Sequence, residues 1–126
     1  MNLNGLVSAL VPYAQGAIEE ANRRGIRPTV TSVFRTRQQQ GRLYQNFLRC
    51  RSAGLEGEPV SLGRGLSCAW PANPPGQSAH QYGLAWDSWA EELDAWTEIR
   101  RSWGWQVPEN DKIHAEVPGW RGLIGS

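Results

Sequence analysis

The two histidines of the chain lie near acidic residues, an arrangement that could bind a metal ion. His80 is followed seven residues later by Asp87, and His114 lies between Asp111 and Glu116. A catalytic zinc ion needs three nitrogen or oxygen ligands and an open position for water, so His80, Asp87 and His114 could supply a complete set. A further carboxylate, that of Asp111 or Glu116, could act as a general base. Each histidine taken alone favours a structural role, and it is the joint pattern that favours a metal site.

The first half of the chain contains the elements that must support such a site. A weak apolar pattern over residues 2–10 predicts a short helix, and a stronger one after Pro12 predicts a helix from about 12 to 24. The β-branched segment 28–34 predicts a central strand. Thr36 followed by Gln39 has the form of a capping box, which begins a second helix that runs to about Ser52.

The second half brings the two histidines into the fold. Residues 54–77 are rich in glycine and proline without apolar periodicity, which predicts a long functional loop. The alternating segment 82–89 predicts a strand, and Gly83 permits a turn that folds His80 back over it. A third helix is expected at about 91–103, followed by short strands near 105–107 and 112–117. Mixed helices and strands predict the α+β class.

Length and composition exclude several classes of protein. A chain of 126 residues, 40% of them hydrophobic, is expected to form one domain over 1–126 with a single core. The 13 basic and 12 acidic residues nearly cancel, so the basic excess of a nucleic-acid-binding protein is missing. No apolar run is long enough for a membrane span, and the first residues do not resemble a signal peptide.

The cysteines are too few to suggest a disulfide scaffold or a cysteine-based zinc site. Cys50 and Cys68 are the only two in the chain. A disulfide between them and a pair of buried free thiols are both compatible with the sequence.

Two motifs together resemble the LAS metallopeptidases, a family named for lysostaphin, D-Ala-D-Ala peptidases and the sonic hedgehog domain. The pattern SxHxxGxAxD spans Ser78 to Asp87, and an acidic residue three positions before a second histidine follows at Asp111 and His114. The segment 31–44 is similar to the SxxRT...Q..LY segment of the branch that contains D-alanyl-D-alanine carboxypeptidases and L-alanyl-D-glutamate endopeptidases. The resemblance covers roughly residues 11–118. It implies a small fold with an antiparallel sheet and flanking helices.

The resemblance also implies a metal centre and a base. His80, Asp87 and His114 would bind one zinc ion per chain. Asp111 matches the position of the general base and is favoured over Glu116, although many carboxypeptidase relatives have the longer glutamate there.

Substrate-binding residues are implied by the same comparison. Arg35 would polarise the scissile carbonyl and stabilise the oxyanion, which also makes it a catalytic candidate. Ser78 and Gln40 occupy positions expected to contact the substrate or to orient the loop around it.

The activity implied is hydrolysis of an amide bond in the stem peptide of peptidoglycan, in the cell wall or periplasm. Asp111 and the small size modestly favour the L-Ala-D-Glu bond, and therefore an endolysin-like enzyme of phage or prophage origin, over the D-Ala-D-Ala bond of a carboxypeptidase. A monomer with no nucleic-acid or membrane partner is expected. The alternative from another class is a non-catalytic zinc-containing module that binds the cell wall.

Overall fold

Among the described residues, three antiparallel strands form the sheet that carries two of the predicted metal ligands, Asp87 and His114. The computed structural model describes residues 2–124. The strands are β1 (Thr29–Ser32), β2 (Ala85–Trp89) and β3 (His114–Glu116), and they are hydrogen-bonded in the order β1-β2-β3. The central strand is thus β2, and the segment 28–34, predicted to be the central strand, instead supplies the edge strand β1, because β1 is hydrogen-bonded to β2 alone. The α+β class and the antiparallel sheet are confirmed.

Four α-helices accompany the sheet. They are α1 (Val11–Arg23), α2 (Arg37–Ser52), α3 (Leu93–Ser102) and α4 (Trp120–Leu123). The predicted capping box opens α2: the Thr36 hydroxyl accepts from the Gln39 backbone N–H, and the Gln39 side chain accepts from the Thr36 N–H. Within residues 2–124, none of the helices combines the length and the apolar character needed to cross a bilayer.

The register of the sheet places two predicted metal ligands side by side. Asp87 in β2 is paired directly with His114 in β3. Between β1 and β2 the register shifts between Val30 and Ser32, which is a bulge at the end of β1 that leads towards Arg35. Bulges of this kind redirect side chains next to functional sites.

The core lies on the face of β2 opposite Asp87. Trp86 packs edge-to-face against Trp96 of α3 and against Trp105, with ring centroids 5.9 Å and 5.6 Å apart. Helix α1 completes this core with fully buried alanines, Ala14, Ala17 and Ala21. The alternation of side chains along a strand explains why the core and the site share one element.

A glycine allows α1 and the end of α3 to approach closely. A Cβ atom at Gly16 would lie 2.3 Å from the Trp103 ring, so only glycine lets the indole pack against the helix there. The Trp103 indole N–H also donates to Glu20 across the same contact, at 3.1 Å. This contact joins the two helices that flank the core.

A long loop, residues 53–78, connects α2 to the 3-10 turn at Ala79–Tyr82. Ser61 and Ser67 form an isolated antiparallel bridge within it, so the segment 61–67 is a small hairpin. A disulfide joins Cys68, directly after this hairpin, to Cys50 in α2. Of the two alternatives compatible with the sequence, the structure thus contains the disulfide.

Three further predicted elements differ from the structure. Residues 2–10 form only a 3-10 turn, at Ser8–Leu10. The strand predicted at 105–107 is a single bridge between Gln106 and Glu116, because Pro108 lacks the N–H needed to extend the ladder. The strand predicted from residue 82 begins at Ala85, since Ala79–Tyr82 form the 3-10 turn.

Candidate metal centre

The structure brings the three predicted metal ligands together from three different elements. His80 lies in the 3-10 turn at Ala79–Tyr82, Asp87 in the middle of β2 and His114 at the start of β3. Gly83 ends the 3-10 turn in a left-handed conformation, with φ +70°, and a Cβ there would lie 2.6 Å from the carbonyl oxygen of Gly5. The turn that returns His80 to the strand therefore depends on glycine, as predicted.

The three ligand atoms form a nearly equilateral triangle. The Nε2 atom of His80 lies 3.0 Å from Asp87 Oδ1 and 3.2 Å from His114 Nδ1, and the His114 to Asp87 distance is also 3.2 Å. Ligands at zinc-nitrogen and zinc-oxygen bond lengths in a tetrahedral site stand roughly 3.3 Å apart. The triangle thus has the dimensions of three protein ligands around one small cation.

The hydrogen bonds behind the histidines orient their lone pairs towards the centre of this triangle. His80 donates from Nδ1 to the carbonyl oxygen of Val33, and His114 donates from Nε2 to Glu116 at 2.7 Å. When each ring carries only that one proton, as a metal ligand must, it presents an unprotonated nitrogen to the other ring and to the Asp87 carboxylate. Three electron pairs that converge in this way repel one another unless a cation lies between them, so the donor set fits a divalent metal ion.

The pKa shifts of His114 and Asp87 in the metal-free chain also indicate that positive charge is stabilised at this point. Burial acts to lower the pKa of His114, but the carboxylates of Asp87 and Glu116 outweigh it and raise that pKa to about 9. Burial acts to raise the pKa of Asp87, yet hydrogen bonds from His114 and His80 hold it well below its usual range. In the metal-free chain, a proton on His114 thus supplies the positive charge that a bound metal ion would supply between these side chains.

Arg35 positions the carboxylate of Asp87. Its Nη2 donates to Asp87 Oδ2 at 2.6 Å, which leaves Oδ1 for the triangle. The same guanidinium donates to Gln40 and to Ser32, each at 3.3 Å. Since a guanidinium has five N–H groups, two remain for a substrate.

Gln40 and Ser78 line the cleft beside these ligands. The buried Gln40 accepts from Arg35 and donates to the carbonyl of Asn73 at 2.8 Å, so it connects Arg35 to the long loop. The Ser78 hydroxyl accepts from the His80 backbone N–H. The contacts of both side chains indicate positioning, and their contact with a substrate stays a prediction.

The two candidate bases have different surroundings. Glu116 accepts the hydrogen bond from His114 and so supports a ligand. Asp111 lines the cleft, and its Oδ1 is buried with no hydrogen-bond partner among the described residues. Burial, with a smaller contribution from Asp87, raises the pKa of Asp111 to about 6. Asp111 is therefore the less engaged of the two carboxyl groups, and its role as the base stays a prediction.

The cleft in which these residues lie has a volume of about 350 Å³. Asp87, His114 and Asp111 line one part of it, and the long loop contributes Trp70 and Asn73 to another. The prediction that residues 54–77 carry function is supported by this placement.

Arg100 supports the site, although no motif in the sequence identifies it as a functional residue. It is fully buried on α3, and its guanidinium donates to the carbonyls of Lys112 (2.5 Å) and Ile113 (3.3 Å). These carbonyls lie between Asp111 and His114, so Arg100 fixes the segment that carries both. Burial lowers the pKa of Arg100 to about 10. A cation in an otherwise apolar helical stripe was the signal for this role.

Comparisons with known proteins identify the family. The family model described as VanY: D-alanyl-D-alanine carboxypeptidase matches residues 5–116. The search of curated proteins found no match.

Solved structures show the same fold. VanYB in complex with D-Alanine-D-Alanine is 20% identical, with a TM-score of 0.66 over 94% of this chain and 75% of that one. A mutant of the vancomycin resistance D,D-pentapeptidase VanY in complex with Zn(II) gives the same identity and TM-score, over 94% and 76%. The LD-carboxypeptidase LdcB is 16% identical, with a TM-score of 0.61 over 95% and 69%.

These matches confirm the predicted resemblance and the LAS-type fold, and the ligand triangle agrees with the predicted zinc centre. With its predicted ligands assembled on this fold and 5–116 matched by the family model, the chain belongs to the VanY family of D-alanyl-D-alanine carboxypeptidases.

Proposed function

We propose that the chain is a zinc-dependent peptidase that hydrolyses an amide bond in the stem peptide of peptidoglycan. The observation that carries this proposal is the convergence of His80, Asp87 and His114 on one point, in a cleft that also contains the unpartnered carboxyl group of Asp111. Membership of the VanY family supports the same substrate class.

The residues of the cleft divide the chemistry among them. His80, Asp87 and His114 would hold the ion, which when bound supplies a Lewis acid for the carbonyl and for water. Asp111 takes a proton from the attacking water and returns it to the leaving amine, and its raised pKa suits a group that must do both. The remaining N–H groups of Arg35 stabilise the developing oxyanion.

Two bonds are candidates, and the D-Ala-D-Ala bond is the first. The family description supports a carboxypeptidase, and one similar structure is a complex with D-Alanine-D-Alanine. The L-Ala-D-Glu bond of an endolysin-like endopeptidase is the second candidate, because the base position holds Asp111, one methylene shorter than a glutamate. Action in the cell wall follows from either, while a phage origin and a monomeric state stay predictions.

Mass spectrometry of the products released from purified peptidoglycan tests the proposal. We expect free D-Ala from the zinc-loaded protein and none after chelation. Peptides that begin at D-Glu would instead establish the endopeptidase. If a verified zinc-loaded sample bound peptidoglycan but did not cleave it, the proposed peptidase activity would be wrong. The non-catalytic binding module would then be favoured.

A further inference from the structure

A second cavity, of about 690 Å³, adjoins the metal cleft. Four residues line both cavities and therefore form the wall between them: Arg35, Leu43, Asn46 and Leu66. We call this second cavity the arginine groove, after Arg35, Arg42, Arg49 and Arg64, which line it. Because the two cavities share a wall, one extended ligand could occupy both.

One face of α2 forms the first side of the arginine groove. Gln38, Arg42, Gln45 and Arg49 recur at i, i+4, i+7 and i+11, which places them on a single helical face. The face extends over about 16 Å, since each residue adds 1.5 Å along a helix. An extended peptide of about five residues has the same length.

The tip of the loop hairpin forms the opposite side. Arg64 lies between Gly63 and Gly65 and is the one non-glycine residue with positive φ in the described part of the chain, at +57°. Such a conformation is disfavoured for a side chain larger than hydrogen, and it persists where surrounding structure holds it. The Ser61 to Ser67 bridge and the Cys50–Cys68 disulfide provide that support.

The charges in the arginine groove are of one sign. No carboxylate lines it, and no ion pair involves Arg42, Arg49 or Arg64 within residues 2–124. Arg51 of the same helix, which does not line the groove, is paired with Glu56 at 3.5 Å. The chain as a whole has a net charge of only +1, so this concentration of positive charge is local. Guanidinium groups in this setting select carboxylates or phosphates.

We propose that the arginine groove binds a carboxylate-bearing part of the stem peptide that continues from the bond hydrolysed in the metal cleft. This inference rests on the proposed function, because it takes the occupant of the cleft to be peptidoglycan. The shared wall makes the two cavities adjacent, so a stem peptide bound in the metal cleft can extend into the groove, and its D-Glu residue supplies a free carboxylate. The groove therefore selects acidic stem peptides over their amidated forms.

Binding of labelled stem peptides by the metal-free protein tests this selection. Fluorescence anisotropy would compare a peptide with free carboxylates and the same peptide with carboxamides, on the wild type and on Arg42→Glu/Arg49→Glu. The matched control is Arg23→Glu/Arg27→Glu, which makes the same change in net charge at two exposed residues outside the groove. Far-ultraviolet circular dichroism verifies folding. If the groove variant does not fold, Arg42→Gln/Arg49→Gln replaces it, with Arg23→Gln/Arg27→Gln as the matched control.

We expect the groove variant to bind the acidic peptide about tenfold more weakly, and the control to change binding less than twofold. The carboxamide peptide should bind the wild type about tenfold more weakly than the acidic one. Equal losses in both charge-reversal variants, or equal binding of the two peptides, would overturn the proposal. Tighter binding of a glycerol phosphate oligomer would overturn the carboxylate assignment.

Failure of this inference and failure of the proposed function are distinguishable. If the zinc-loaded protein cleaves peptidoglycan but the groove variant binds the acidic peptide as the wild type does, the groove assignment is wrong and the peptidase stands. If the selective binding is found without any cleavage, the groove assignment stands and the peptidase is wrong.

Discussion

The metal centre and the arginine groove lie side by side but are built differently. The ligands of the metal centre lie on strands and a capped turn, and each has a second hydrogen-bond partner behind it, as with Val33 for His80 and Glu116 for His114. The groove consists of exposed arginines on α2 and on a loop hairpin that one disulfide ties to that helix.

The difference reflects what each region has to do. A reacting group must be held to within a fraction of an ångström, so its own supports must be rigid. Long-range attraction of a charged chain tolerates mobile side chains, because Coulomb energy varies slowly with distance. Perturbing the metal centre should therefore abolish turnover, whereas perturbing the groove should weaken binding by moderate factors.

The largest effect is expected from removal of a ligand. His114→Ala removes one of three metal ligands and leaves the Glu116 carboxylate without its partner. We expect hydrolysis to fall to the rate of the chelated wild type and zinc to be lost on dialysis. Measured zinc content and initial rates check this, and a variant with full zinc and more than a tenth of wild-type activity would contradict it.

Neutralising Asp111 and neutralising Glu116 should have different effects, the first on kcat and the second on zinc affinity. Asp111→Asn removes the proton acceptor, so kcat should fall by about 10² to 10⁴-fold with zinc affinity nearly unchanged. Glu116→Gln weakens the support of His114, so zinc affinity should fall by about 10 to 100-fold while the zinc-saturated enzyme keeps most of its kcat. Zinc titrations and saturation kinetics of both variants check this pair. The opposite pattern would make Glu116 the base.

Removal of the Arg100 guanidinium should affect the site through its neighbours. Arg100→Met keeps much of the buried stem but leaves the carbonyls of Lys112 and Ile113 without their donor. We expect the free energy of unfolding to fall by about 1 to 3 kcal/mol. Zinc affinity should also weaken severalfold, because His114 follows these carbonyls directly.

Denaturant unfolding and zinc titration check the prediction for Arg100, with Arg27→Met at an exposed residue as the control. If Arg100→Met lost stability but kept wild-type zinc affinity, Arg100 would stabilise the fold without positioning the metal site. Unchanged stability would show that the carbonyls find other donors.

The smallest effect on ligand binding is expected from the disulfide that fixes the groove. Cys50→Ser/Cys68→Ser should lower the free energy of unfolding by about 3 kcal/mol, since the bond closes a loop with a sequence separation of 18. Binding of an acidic stem peptide should weaken only two- to threefold, because Arg42 and Arg49 remain on α2. A loss as large as that of Arg42→Glu/Arg49→Glu would show that the hairpin, and not the helix, provides most of the binding.

Sequence reasoning predicted the elements with strong local signals. The capping box at Thr36 fixes the start of α2, and the apolar periodicity after Pro12 locates α1, because both depend on residues within one or two turns. The 3-10 turn before β2 and the loss of a strand at 105–107 depend on Gly83 and Pro108 in their tertiary setting, which periodicity does not describe.

The same distinction applies to the site. The ligand set of His80, Asp87 and His114 was predictable because a motif encodes it, and the structure brings the three together. The sequence did not predict the hydrogen bond between His114 and Glu116 or the contacts of Arg100. Each depends on which nitrogen or carbonyl faces a particular partner. Such orientation is set by packing between elements distant in sequence.

We expect one zinc ion, bound in the His80, Asp87 and His114 triangle, to make this chain a peptidoglycan peptidase. Stepwise return of zinc to the metal-free protein tests this, with the bound zinc and the rate of peptidoglycan hydrolysis measured together. The rate should rise in proportion to bound zinc and stop rising at one equivalent. Hydrolysis that is undiminished in the metal-free protein, or full zinc loading without any hydrolysis, would contradict it.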